Sequence, residues 1–312
     1  MPKFNAVPSL FGALKDQVIV LTGGARGVGE SIVRLSYLAG AHVFFGDIDH
    51  ALAQQVVGRL KAEHPSSNDL VAVSFDARSY ADNIRLFKTA YQAHGRVDHA
   101  FSIAAITESQ NWYDPGLDLE TIEIPPPTAV IDINLTGVLY FTRIAAVYLR
   151  QGNQGSSRRR DKSICLMGSI ASFREQAGLY VYQPTKHGVH GLLRATRKIL
   201  YHKFNIRINM VNPSHIDTVM GSSVHDLWES HGLPVNTAEA VAEHVLTLAS
   251  LPEDPYVGPV SGLAIYVEGG KGWEIEEDLD KTDHLWMGEE MSRNFSKIQE
   301  ALGLGVDWEP TK

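Results

Sequence analysis

Tyr182 and Lys186 stand four residues apart in the run Tyr182-Gln183-Pro184-Thr185-Lys186. On a helix that spacing puts a phenol and an ammonium on one face, a turn apart. A phenol, with a pKa of about 10, is a poor base near neutral pH. A neighbouring positive charge favours its ionised form and suits it to general acid–base work. Ser169 lies 13 residues upstream, in MGSIAS, with a hydroxyl able to hold a substrate oxygen. Asn134, in INLTGV, is an amide where a buried helix ordinarily carries an apolar side chain.

A second group of residues suits a phosphate. The string TGGARGVG at 22–29 has glycines at Gly23, Gly27 and Gly29, between an apolar run and an amphipathic stretch. Glycines there permit a tight turn and close approach to a pyrophosphate, and the helix start offers free N–H groups to the anion. Gly23 and Gly27 are separated by three residues rather than the single residue of the GxGxxG fingerprint. Asp47 falls at the end of the next apolar run, 18 residues after Gly29. A carboxylate there accepts hydrogen bonds from ribose hydroxyls and repels a 2′-phosphate, which favours NAD over NADP. Arg26 argues the other way, because a base beside the glycines could hold that phosphate. Asp76, at the end of a third run, is placed to meet the adenine edge, and a helix N-terminal charge is its alternative role.

These residues need a frame, and the hydrophobic pattern supplies one. Short apolar or β-branched runs predict strands at 17–21, 41–46, 70–75, 97–103, 163–167, 205–211 and 261–267. Helical spacing predicts helices at 27–39, 51–62, 81–93, 129–149, 181–204 and 238–250. Strands alternating with helices imply a parallel sheet with helices on both faces. The loop 107–128, with Pro115 and a triple proline, is too long for a plain connector. The basic loop 151–161 reads as a solvated turn.

Taken together, the pieces resemble the short-chain dehydrogenase/reductase family over residues 15–270. The matching segments are TGGARGVG, Asp76, NLTG with Asn134, Ser169, the Tyr182–Lys186 pair and INMVNPSHIDTVM at 208–220. The resemblance implies an α/β, single-domain, doubly wound Rossmann fold with a seven-stranded parallel sheet. It implies Tyr182 as general acid/base, and Lys186 as binder of the nicotinamide ribose and modifier of the tyrosine. Ser169 would orient the substrate oxygen, and Asn134 would help hold a water in a proton relay. The cofactor would meet Gly23, Arg26, Gly27, Val28, Gly29, Asp47, Asp76, Ala77, Ala104, Tyr182, Lys186, Pro213, Ile216 and Thr218. Ile216 would act through its backbone and Thr218 through its hydroxyl. Two departures stand out: the family's NNAG is Ser102-Ile103-Ala104-Ala105, and its PG pair is Pro213-Ser214.

The implied reaction is reversible hydride transfer between a secondary alcohol or ketone carbon and NAD. An NADP-dependent ketoreductase is the near alternative, and a dinucleotide sensor without turnover a remote one. Trp112, Tyr113, Tyr180, Met220, Leu227 and Trp228 would line an apolar pocket for a bulky small molecule, with 219–233 as a lid. The family's dimer helices correspond to 129–149 and 181–204, so a homodimer or homotetramer is expected. The C-terminal part resembles fungal members from secondary metabolism.

Composition narrows the field further. The 312 residues are 44% hydrophobic and 21% charged, enough apolar material for a core, and the net charge of −8 disfavours a nucleic-acid partner. A single cysteine, Cys165, excludes an internal disulfide framework and fits a cytoplasmic setting. His187 and His190 are three apart with no third ligand nearby, so no metal is expected. No membrane span or secretory signal is read. Residues 271–312 carry 11 acidic against 5 basic groups and three of the five tryptophans. This extension is expected to pack on the 1–270 domain or on a neighbouring subunit.

Overall fold

The computed structural model describes residues 2–151, 161–254 and 257–303. The expectations for the basic loop and for Trp308 therefore fall largely or wholly outside the described residues. Among the described residues, ten strands follow in chain order: β1 (Val18–Thr22), β2 (His42–Asp47), β3 (Leu70–Ser74), β4 (His99–Ser102), β5 (Ser163–Met167), β6 (Arg207–Pro213), β7 (Glu253–Asp254), β8 (Gly258–Pro259), β9 (Ala264–Glu268) and β10 (Lys271–Glu274). The helices are α1 (Gly27–Leu38), α2 (His50–Glu63), α3 (Tyr80–His94), α4 (Ala129–Ile131), α5 (Gly137–Gln151), α6 (Tyr182–Phe204), α7 (Ser222–Ser230), α8 (Ala238–Ser250), α9 (Glu276–Lys281), α10 (Asp283–Met287) and α11 (Glu289–Leu302).

The main sheet runs β10-β9-β6-β5-β4-β1-β2-β3, with β7 and β8 forming a separate two-stranded ladder. All pairings from β9 to β3 are parallel. Alternation along the central strand sorts its side chains. Ile19 and Leu21 join one core with α1 and α8, while Val18 and Val20 join the other with α3, α5 and α6. Chain order reverses between β1 and β4, and such a switch point opens a crevice at the carboxyl ends of the strands. Thr22, Asp47, Ser102, Met167 and Pro213 end their strands along this edge.

Three expectations change. The sheet has eight strands rather than seven, because the chain turns at Gly269-Gly270 and adds β10 antiparallel to β9. Both glycines have positive φ, +55° and +74°, as a two-residue hairpin turn requires. The helix foreseen at 129–149 is interrupted by a π-helical turn at Asp132–Thr136. That composite stretch, Ala129–Gln151, is also long and apolar enough to cross a membrane by length and composition, contrary to the expectation of no such segment. Its apolar face is accounted for by core packing, with Phe141, Ile144, Ala145 and Leu149 buried.

The extension divides in two. Its first part is bound to the body: Glu276 is buried and accepts hydrogen bonds from His190 at 2.6 Å, from Arg194 at 2.8 Å and from Arg197 at 2.9 Å. These donors lower the Glu276 carboxyl to about 2 against the opposing cost of burial. In contrast, α10 and α11 bury no residue, and Trp286 is 72% exposed.

Candidate active site

The glycine turn leads from β1 into α1. Gly27 has φ +57°, and a Cβ on Gly29 would fall 1.8 Å from the Gly23 carbonyl oxygen. The turn therefore closes tightly only without side chains there. Across the crevice, a Cβ on Gly23 would meet the Ala104 backbone at 2.8 Å. Thr22 Oγ1 fixes that opposite wall by accepting from the N–H groups of Ile103 and Ala104 at 3.1 and 3.2 Å. No side chain caps α1 at Arg26, so its first N–H groups are left for an anion. Val28 turns its side chain into the core, which leaves its backbone to serve the turn.

Asp47 is buried and braces the same turn. Its Oδ2 accepts from Ala25 N–H at 2.9 Å and its Oδ1 from Asp49 N–H at 3.0 Å. Arg26 is paired with Asp49 at 2.7 Å. Asp76 is forked by Arg78, whose Nε and Nη2 donate at 3.0 and 2.7 Å and hold its carboxyl below the usual range. The Ala77 carbonyl accepts from Asn83 at 3.1 Å and lies against Gly137, where a Cβ would come within 2.8 Å of its oxygen. Beyond β6, Ile216 pairs with Asn236, and the Thr218 methyl faces Gly27. The two departures from the family pattern carry no backbone strain. Neither Ala105 nor Ser214 has a positive φ, and Ser214 Oγ accepts from Asn236 Nδ2 at 3.0 Å.

The candidate catalytic side chains meet where β5 ends and α6 begins. Ser169 starts a single 3-10 turn at Ile170–Ser172 and accepts from Ala171 N–H at 3.2 Å. Lys186 is buried; its Nζ donates to the Met167 carbonyl at 2.9 Å and lies 5.4 Å from the centre of the Tyr182 ring. Burial lowers Lys186 to about 8. Tyr182 departs from the expected direction. Burial raises its phenol above the ordinary value, and a hydrogen bond with Ser169 opposes that only in part. The lysine lies over the tyrosine ring and is tied to the Met167 carbonyl.

Asn134 lies in the π turn, fully buried, but its amide does not reach toward Lys186. It accepts from Ile106 N–H at 2.9 Å and donates to the Ile106 carbonyl at 2.8 Å. Its side chain therefore positions the loop after β4. Sequence reasoning missed Glu108 in that loop. Its Oε1 accepts from Val181 N–H at 2.5 Å and Tyr182 N–H at 2.7 Å. The only local signal was the absence of a capping side chain before Tyr182. On the substrate side, Tyr113 meets Tyr180 edge to face at 5.0 Å, and His215 packs on Trp228 at 5.5 Å.

The sequence model of the short chain dehydrogenase family matches residues 17–227. The chain belongs to the short-chain dehydrogenase/reductase family. Short-chain dehydrogenases are NAD(P)-dependent oxidoreductases acting on CH–OH groups. It is 30% identical over 268 residues to the short-chain dehydrogenase/reductase ascJ of Acremonium egyptiacum, covering 86% of this chain and 83% of that one. It is 25% identical to the 5'-hydroxyaverantin dehydrogenase of Dothistroma septosporum, covering 96% and 99% respectively. The fold is shared with the 3-ketoacyl-(acyl-carrier-protein) reductase of Brucella melitensis solved with NADH. That match has a TM-score of 0.66 at 23% identity, covering 82% of this chain and 98% of that one. The glycine turn with its uncapped helix start fits the dinucleotide that the family uses.

Proposed function

We propose that the protein is an NAD-linked dehydrogenase interconverting a secondary alcohol and a ketone on a bulky, largely apolar small molecule. The observation that carries the cofactor preference is the pairing of Arg26 with Asp49, beside a buried Asp47. The one base in the glycine turn is thereby engaged by a carboxylate. A 2′-phosphate would have to displace Asp49 and approach a second acid, an unfavourable like-charge contact.

The bound nicotinamide supplies hydride exchange with the substrate carbon. The protein handles the proton and the geometry. In alcohol oxidation Tyr182 Oη takes the hydroxyl proton, and in ketone reduction it returns it. Ser169 holds the reacting oxygen beside the phenol. Lys186 is oriented by the Met167 carbonyl to meet the ribose, and its ammonium offsets negative charge developing on the phenol. Thr218 and the Ile216 backbone close the wall opposite the glycine turn. Tyr113, Tyr180 and Trp228 support the apolar substrate class, because aromatic faces reward flat or fused-ring molecules.

The test is turnover of a secondary-alcohol panel, from cyclohexanol to fused-ring alcohols, with NAD+ and NADP+. The expected result is a kcat/KM at least about tenfold higher with NAD+. A preference for NADP+, or no turnover of any alcohol, would overturn the reading. A homodimer or homotetramer through Ala129–Gln151 and α6 belongs to the same proposal, and solution sizing that gives a monomer would refute it.

A further inference from the structure

Helix α6 starts without a cap of its own. Its N-cap residue is Val181, which has no acceptor side chain, whereas Asp49, Ser79 and Thr237 cap α2, α3 and α8. The first N–H groups of a helix need acceptors when withdrawn from water. Here the N–H groups of Val181 and Tyr182 converge on one oxygen of Glu108, at 2.5 and 2.7 Å. Glu108 reaches them from the loop after β4, 73 residues away from Val181 in sequence. That loop is clamped two residues earlier, where Asn134 binds both backbone groups of Ile106. A continuous set of contacts therefore runs from the buried π turn, through Ile106 and Glu108, to the backbone of Tyr182.

We propose that Glu108 is a positioning residue for the reaction, setting the first turn of α6 and hence the Tyr182 hydroxyl relative to Ser169 and Lys186. The inference rests on the alcohol chemistry assigned to Tyr182 above. A carboxylate is well suited to this role, because its hydrogen bonds to backbone N–H groups are charge-assisted and it sits at the positive end of the helix dipole. The other carboxylate oxygen, Oε2, is buried without a hydrogen-bond partner, so the hold runs entirely through Oε1. A glutamine can offer an amide oxygen to the same two donors, and an alanine cannot. The loop that carries Glu108 continues into Tyr113, which touches Tyr180 two residues before Tyr182. The substrate wall and the acid–base group thus share one anchor.

The test compares full-length wild type, Glu108→Ala and Glu108→Gln. Three readouts are taken: amide hydrogen exchange at Val181 and Tyr182, NADH affinity by fluorescence, and kcat and KM for the panel alcohol that wild type turns over fastest. In Glu108→Ala the two amides should exchange faster and kcat should fall about a hundredfold, a size typical of small misplacement. NADH affinity should hold, and Glu108→Gln should recover kcat to within about threefold. The inference is overturned by a folded Glu108→Ala enzyme with wild-type kcat, or by Glu108→Gln falling as far as alanine. Should Glu108→Ala not fold, fast exchange of both amides in folded Glu108→Gln overturns it. If wild type turns over no alcohol, the functional reading fails by itself, and rapid exchange of both amides in wild type would separately refute the cap.

Discussion

On the cofactor side of the crevice, the parts that matter are backbone held by backbone or by buried side chains. Thr22 ties the exit of β4, Asp47 ties the glycine turn, and Gly29 lies against Gly23 with no space for a methyl. The side proposed for the substrate is built from segments with little burial. The helix α7 has no buried residue, and Leu227 is 60% exposed. The difference teaches where each property resides. A wall made of strand ends and glycines has one permitted shape. A wall made of exposed apolar side chains can be re-lined without disturbing the sheet.

Substitutions on each side should therefore fail differently. The largest effect is expected at the junction of the two walls. Tyr182→Phe should lower kcat by about 10²–10⁴-fold, the usual worth of a positioned acid–base group, with NADH affinity retained. Stopped-flow and equilibrium binding measure both, and unchanged turnover would break the assignment. Next comes Gly29→Ala, whose methyl collides with the Gly23 carbonyl. It should destabilise the fold by about 1–3 kcal/mol and weaken NADH binding together, read by denaturant melts and titration. Leu227→Ala should do the reverse. It should leave stability within about 0.5 kcal/mol while raising KM for an apolar alcohol, and a large loss of stability would erase the contrast between the walls.

A last effect concerns the frame beneath both walls. His99, buried in β4 and hydrogen-bonded to Ser163 at 2.8 Å, is held neutral by burial, down to about 4 from an ordinary 6.5. Between those values the unfolded chain takes up a proton that the folded chain refuses. Stability should therefore fall as pH drops from 6.5 towards 4, and His99→Asn should flatten that part of the melting-temperature profile. A wild-type profile that is flat over this window would contradict the burial effect.

The readable part of the molecule was local. Helical and strand periods placed the seven parallel strands to within a few residues, because each element's apolar spacing is a property of its own segment. The Tyr182–Lys186 pair and the glycine turn were readable for the same reason: one helical turn and one tight loop fix their geometry. The hairpin at Gly269-Gly270 has a local sign too, in the glycine pair itself, although the family's seven strands give no reason to expect it. Other features had no local sign. Asn134 is turned to Ile106, Lys186 to Met167, and Glu108 to the start of α6, across 28, 19 and 73 residues. Residue types and short spacings determined the chemistry available to this protein. Only packing decided which polar group satisfies which, because a buried donor takes whatever acceptor the fold brings near it.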